Sequence, residues 1–316
     1  MQAIAVKEYG AQPTVMELPK PKPGPGQILI KIRAAGMNPM DRVISEGEWK
    51  ATMPGTFPLV LGSDVAGVVE AVGQNATRFS PGDVVFGQLL ITPLGSAGTY
   101  AEYVAVSEGA DIVRMPKKLD PVVAASLPTA GVTALEIVQS LGTLAGKTVL
   151  IIGAGGGVGS FATQFAAQAG AHVDANTHAD AEARMRTYGA AETFDHSAVS
   201  LLDTVRRAHP DGIDVVIDLA SDRAGFAAVA SLVRRGGTAL STKWSADVES
   251  LAKAGITGVN FQVSMSRGML ERLADAVVAG RIVPAPIKRI KLGDVPATWS
   301  NGHFDGKTVI VLKARK

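Results

Sequence analysis

The chain has 316 residues, 47% hydrophobic and 19% charged, with 31 basic against 29 acidic side chains and a formal charge of +2. That is apolar material for about two domains at roughly 150 residues each, and it excludes a chain that is mainly disordered. The small, dispersed charge excludes nucleic-acid binding as the main role, and the absence of cysteine excludes disulfides, thiolate metal sites and a cysteine nucleophile. The N-terminus reaches Lys7 and Glu8 before any apolar run builds up, and no stretch approaches the about 20 uninterrupted apolar residues of a membrane span. A cytoplasmic protein that does not engage membranes is the expectation.

In chain order, residues 28–33, 64–72, 83–86 and 100–106 have the pattern of short strands, punctuated by Gly24-Pro25-Gly26, Gly73, Pro81-Gly82 and the glycines at 95 and 98. They predict a compact, mostly β unit. An alanine-rich helix is expected over 121–140. Beyond it, apolar runs at 148–152, 172–176, 213–219, 238–242 and 258–263 alternate with helical spacing at 158–169, 181–188, 200–209 and 223–233. Such alternation predicts an α/β, doubly wound parallel sheet. A further helix is expected at 268–279. The last strand, 308–312, returns to complete the first domain, because a lone strand beyond a finished parallel sheet needs a partner. The expected domains are 1–121 with 266–316, and 122–265.

One motif stands out. Gly153, Gly156 and Gly159 form a G-x-x-G-x-x-G pattern between the apolar run 148–152 and a helix. Glycines there allow a sharp bend, close approach of backbone to a pyrophosphate, and tight helix–strand packing, while the helix start offers unpaired N–H groups. Gly155, Gly156, Gly157 and Val158 are therefore candidate dinucleotide contacts. At the end of the second strand the order is Asn176-Thr177-His178, where an acid would favour NAD over NADP. NADPH is the expected cofactor, with Thr177, His178 and Arg184 near its phosphate. Asp174 stays open as a ribose ligand, and Arg184 as a solvated helix residue.

Other enzyme classes fail on spacing. No tyrosine has a lysine four places on, as short-chain dehydrogenases need: the residues there are Pro13, Val104, Ser107 and Glu192. No G-x-S-x-G elbow follows a strand. All five histidines (172, 178, 196, 209 and 303) lie beyond residue 171, so the first half lacks imidazole and thiolate ligands, and no metal site is expected.

Several ordered segments together resemble the zinc-free quinone oxidoreductase branch of the medium-chain dehydrogenase/reductase superfamily. They are Gly36-Met-Asn38-Pro39-Met-Asp41, Pro58-Leu-Val-Leu-Gly62-Ser-Asp64-Val-Ala-Gly67, Phe79-Ser-Pro-Gly82-Asp83, Gly98-Thr-Tyr100-Ala-Glu102-Tyr103, Leu127-Pro128-Thr129-Ala-Gly131-Val-Thr133, the glycine turn, Gly236-Gly237, and Gly302-His303-Phe-Asp-Gly306-Lys307. In zinc members a cysteine stands near Asn38 and a His-Glu pair at Ser63-Asp64.

The resemblance implies a GroES-like catalytic domain plus a Rossmann domain with a cleft between them, NADPH, and hydride transfer to a small electrophile, a quinone or an activated double bond. It also implies a homodimer joined through the last Rossmann strand, 258–263. Carried over, Asn38 is the pocket asparagine and candidate catalytic donor, and Thr133, Ala220, Thr242, Val263 and Ser264 face the cofactor. Met265 closes over the ring. Val43 and Trp49, candidate substrate-pocket residues with Met265, stand where quinone oxidoreductases often have tyrosines, and Lys243 follows a strand end as either a solvated side chain or a cation near the cofactor. Asn38 also suits a local cap beside Pro39. The rival from another class is a non-catalytic NADPH-binding protein of the same fold.

Overall fold

The computed structural model describes residues 1–195, 200–299 and 306–312. Residues 313–316 and residues 302–305 of the closing family segment lie outside the described residues. Contacts divide the chain into two units, Met1–Val132 with Met265–Lys316, and Thr133–Ser264. The first boundary thus falls later than the expected 121/122, because the helix beginning at Pro121 packs on strands of the first unit.

The first unit starts with β1 (Gln2–Val6), β2 (Thr14–Glu17) and β3 (Gln27–Gly36), then α1 (Pro39–Glu46). Strands β4 (Leu59–Val60), β5 (Asp64–Val72), β6 (Val84–Gln88), β7 (Tyr103–Ser107) and β8 (Asp111–Arg114) follow. The long β3 organises this unit. One edge pairs antiparallel with β5, while on the other edge residues Gln27 to Lys31 pair with β7. Alternating side chains from these strands, such as Ile28, Ile30, Val65 and Val85, bury together with Ile4, Leu61 and Tyr100.

The expected helix over 121–140 is two helices, α2 (Pro121–Ser126) and α3 (Pro128–Ser140). The ring of Pro128 cannot continue α2 but suits the first position of α3.

The second unit continues with β9 (Thr148–Ile152), α4 (Gly157–Gln168), β10 (His172–Thr177), α5 (Glu182–Thr187), β11 (Glu192–Asp195), α6 (Leu201–Ala208), β12 (Ile213–Asp218), α7 (Arg223–Ala230), β13 (Val233–Ser241), α8 (Val248–Lys253) and β14 (Thr257–Asn260). Among the described residues the strands form one all-parallel sheet in the order β11-β10-β9-β12-β13-β14. This is the doubly wound order in which the chain reverses direction across the sheet beside β9. Its central strands are near-continuous apolar runs, with Val149, Leu150, Ile151, Val216 and Ile217 fully buried, as strands covered on both faces must be. The last strand is shorter than expected: β14 ends at Asn260, and residues 261–266 are irregular.

The chain then returns to the first unit with α9 (Arg267–Val278), β15 (Ile287–Lys291), α10 (Val295–Trp299) and β16 (Lys307–Val311). The closing strand β16 lies between β15 and β3, pairing antiparallel with residues Ala34 to Gly36. The C-terminal segment therefore completes the first sheet, as its isolated strand pattern requires.

Candidate active site

In the second unit, β9 runs straight into the glycine turn. Gly153 adopts φ +77°, a left-handed conformation that a side chain would strain, and Gly156 caps α4 with no side-chain partner for the first-turn N–H groups. A Cβ at Gly159 would sit 2.3 Å from the Gly153 carbonyl, and one at Gly155 would sit 2.5 Å from Thr177 Oγ1. The turn thus presents bare backbone donors and the positive end of a 12-residue helix, features that fit a dinucleotide pyrophosphate.

Around it, Thr177 ends β10 and is buried, while Asn176 donates its amide N–H to the Phe194 carbonyl at 3.1 Å. Arg184 reaches back to the turn, its guanidinium 3.3 Å from the Gly155 carbonyl and 3.4 Å from Ser160 Oγ. Asp174 does not belong to this group. It lies mid-strand and fully buried, hydrogen-bonded to His209 Nε2 at 2.7 Å, which removes it as a ribose ligand. Along the same carboxyl edge, the Ala220 N–H donates to Asp218 and Thr242 N–H donates to the Asp218 carbonyl. Lys243 is exposed and donates its ammonium to the Ala220 carbonyl at 3.0 Å, so its cation stands at the ends of β12 and β13. Val263 and Ser264 lie in irregular chain, not in a strand, and the Ser264 N–H is held by the Glu136 carboxylate at 2.7 Å. Thr133 is buried near the middle of α3.

In the first unit, Asn38 precedes α1, a helix started by Pro39 and stopped by Gly47 at φ +78°. The Asn38 backbone N–H donates to Asp41 Oδ2 at 2.7 Å, so the local cap is made by Asp41 and the Asn38 carboxamide is left for longer-range partners. That carboxamide is 4% exposed; it donates to Asp64 Oδ2 at 3.0 Å and accepts from the Lys307 ammonium. Lys307 also lies 3.4 Å from Asp64 Oδ2, a buried ion pair between β16 and β5. The other oxygen of Asp64 accepts from Thr129 Oγ1 at 2.6 Å and from its N–H at 3.1 Å. Asp41 accepts from Tyr100 Oη at 2.6 Å. Burial pushes the Asp41 carboxyl up to about 7, against the Tyr100 and Asn38 hydrogen bonds that favour its charge. Burial and the adjacent Asp41 likewise raise the Tyr100 phenol. Trp49 is half-buried against the apolar core of this unit, and Val43 and Met265 are partly exposed.

Residues 24–117 match the model of the alcohol dehydrogenase GroES-like domain, and residues 157–276 that of a zinc-binding dehydrogenase domain. Human quinone oxidoreductase is 33% identical over 89% of this chain and 86% of its own length. The mouse mitochondrial NAD(P)H oxidoreductase RTN4IP1 is 29% identical over 90% of this chain and 82% of its own. The solved quinone oxidoreductase of Coxiella burnetii superposes with a TM-score of 0.87 at 27% identity, covering 99% of each chain. The chain belongs to the quinone oxidoreductase branch of the medium-chain dehydrogenase/reductase superfamily. It is an oxidoreductase of the quinone or enone reductase type and uses a nicotinamide cofactor.

Membership in this superfamily raises the question of zinc, which one of the matched models carries in its description. The residues at the corresponding positions, Asn38, Ser63 and Asp64, do not fit it. A carboxamide and a hydroxyl replace thiolate and imidazole, both oxygens of Asp64 are engaged by Thr129, Asn38 and Lys307, and the Lys307 ammonium supplies the positive charge. For this oxidoreductase, sequence reasoning singled out Asn38 but missed Lys307, Asp41, Tyr100 and Thr129 as its surroundings. Gly306-Lys307 was legible only as part of a family segment, and no local pattern marks a lysine on a short apolar strand as the counter-ion of an aspartate 243 residues away.

Proposed function

We propose that this protein transfers a hydride from NADPH to the conjugated carbon of a quinone or an α,β-unsaturated carbonyl, without a metal. Bound NADPH supplies the hydride, and the second unit's task is to hold it by the glycine turn, with Arg184 and the neutral Asn176-Thr177-His178 end of β10 receiving the 2′-phosphate. As hydride arrives, an electron pair moves through the acceptor's conjugated system to its oxygen, which takes up a proton from water. Hydrogen-bond donors stabilise that charge. Asn38 is the donor. The observation that carries this is its carboxamide, whose oxygen is held by Lys307 and one N–H by Asp64, leaving the second N–H without a partner among the described residues. Lys307 polarises the amide, so the remaining N–H becomes a stronger donor in a fixed direction.

Conjugated acceptors spread the charge and need only such neutral donors, whereas a saturated aldehyde gives a localised alkoxide. Steady-state NADPH oxidation with quinones, enones and saturated aldehydes tests the proposal. Quinones or enones turn over best, and Asn38→Ala lowers kcat/KM by about 10²-fold with the Kd for NADPH unchanged. A preference for saturated aldehydes, or an Asn38→Ala enzyme with unaltered kcat/KM, overturns it.

A further inference from the structure

At the opposite edge of the parallel sheet from the glycine turn, three side chains converge that the oxidoreductase reading does not use. His172 and Asp174 are the first and third residues of β10, so their side chains leave the same face of the strand. His209 ends α6, which lies against β11, and it reaches the same spot. His172 Nε2 lies 3.4 Å from Asp174 Oδ1 and His209 Nε2 lies 2.7 Å from Oδ2, with one potential ligand atom from each residue mutually within 4.8 Å.

The carboxylate is the informative member. Asp174 is fully buried in the middle of a parallel sheet, yet its Oδ1 has no hydrogen-bond partner. An unpaired buried carboxylate oxygen is costly, and a cation bound beside it would offset that cost. Glu192 sits directly beside Asp174 on β11 and adds a second negative charge on that side. Both histidines are tied down by backbone: the His172 N–H donates to the Lys147 carbonyl at 2.8 Å, and the His209 N–H to the Val205 carbonyl at 2.8 Å. The site is open to solvent through His172, whose side chain is 45% exposed, while that of His209 is 18% exposed.

We propose that His172, Asp174 and His209 form a binding site for one divalent transition-metal ion of the zinc class, clipping β10 to the end of α6. Two imidazole nitrogens and one carboxylate oxygen are the donor set such borderline ions take, in preference to the all-oxygen shells of magnesium or calcium. Ligand atoms around a tetrahedral zinc lie about 3.3 Å apart. The 3.4 Å from His172 Nε2 to Asp174 Oδ1 matches that spacing, and the one-atom-per-residue set, mutually within 4.8 Å, closes to it by modest side-chain rotation. Water completes the coordination on the exposed side. The clip joins segments 35 residues apart and fixes the second unit without touching the glycine turn or Asn38.

The test is titration of the full-length, chelator-stripped protein with Zn²⁺ by calorimetry, with Co²⁺ as a spectroscopic probe. One Zn²⁺ binds per chain, Co²⁺ develops a visible d–d band, and at about 100 times its Kd the ion raises Tm by about 5 °C. His172→Ala and His209→Ala each weaken binding at least about 10-fold, which cuts the Tm rise at the same Zn²⁺ concentration to about half or less. His172 is half exposed, so its variant keeps the fold, and NADPH affinity serves as the check that it has. No saturable binding overturns the proposal, and so does binding that survives in the His172→Ala/His209→Ala double variant.

Discussion

The glycine turn of the second unit and the buried polar cluster of the first are both built to handle charge, by opposite means. The turn uses consecutive residues, 148–160, and acts through backbone N–H groups and a helix dipole, so it needs no ionised side chain. The cluster draws Asn38, Asp41, Asp64, Tyr100, Thr129 and Lys307 from five places in the chain and acts through a carboxylate and an ammonium removed from water. Local sequence suffices to specify the first. The second exists only once β16 and β5 have joined the same sheet, and it is sensitive to the loss of any single partner.

The sharpest way to break this contrast is Lys307→Met, which keeps the length of the side chain and removes its charge. Asp64 is left buried without a cation, a situation that costs about 3–5 kcal/mol. Urea unfolding followed by probes in each unit shows the first unit losing stability while the transition of the second stays in place. A change under about 1 kcal/mol means that Thr129 and Asn38 satisfy Asp64 by themselves.

Asp41 gives a second, pH-dependent handle. With its carboxyl raised to about 7 from 3.8, the folded protein holds a proton that the unfolded chain has already released. Stability therefore falls as pH rises from about 4 to about 7 and stays low above that, a loss of up to about 4 kcal/mol from this group. Asp41→Asn keeps an acceptor for Tyr100 and removes the slope, so the variant gains on the parent most at pH 8. Denaturation midpoints between pH 5 and pH 8 that run parallel in the two proteins locate the titration elsewhere.

The smallest expected effect belongs to the turn. Arg184→Ala removes a cation that contacts the turn through hydrogen bonds of 3.3 and 3.4 Å, and it weakens NADPH by about 10-fold while leaving NADH nearly unchanged in fluorescence titrations. Equal losses for both cofactors assign Arg184 to the shape of the turn instead of the 2′-phosphate.

The same contrast explains what was legible beforehand. The strands at Asp64–Val72 and Thr148–Ile152 lie where the apolar patterns put them, because each reports its own burial. Short elements with mixed composition did not announce themselves. β15 (Ile-Lys-Arg-Ile-Lys) carries more charge than apolar surface, and α1 has the acidic and basic residues of an exposed loop between its buried positions. Asn38 was recognisable from the residues beside it, whereas Lys307 depends on a pairing of β16 with β3 that no window of sequence contains. Histidines 172 and 209 were visible only as scattered residues, and what unites them with Asp174 is the strand's two-residue period combined with the placement of α6.

The position of β16 has a consequence for the protein's birth on the ribosome. All of residues 133–264 form one contiguous unit that can fold as soon as it emerges, but the unit that begins the chain waits for its own last strand. At translation rates of about 5–20 residues per second, the 243 residues between Asp64 and Lys307 leave Asp64 without its cation, and residues 34–36 of β3 without their β16 partner, for about 12–50 s. A chain cut short before residue 307 therefore lacks the ammonium that holds the Asn38 carboxamide oxygen, whatever the second unit has already built.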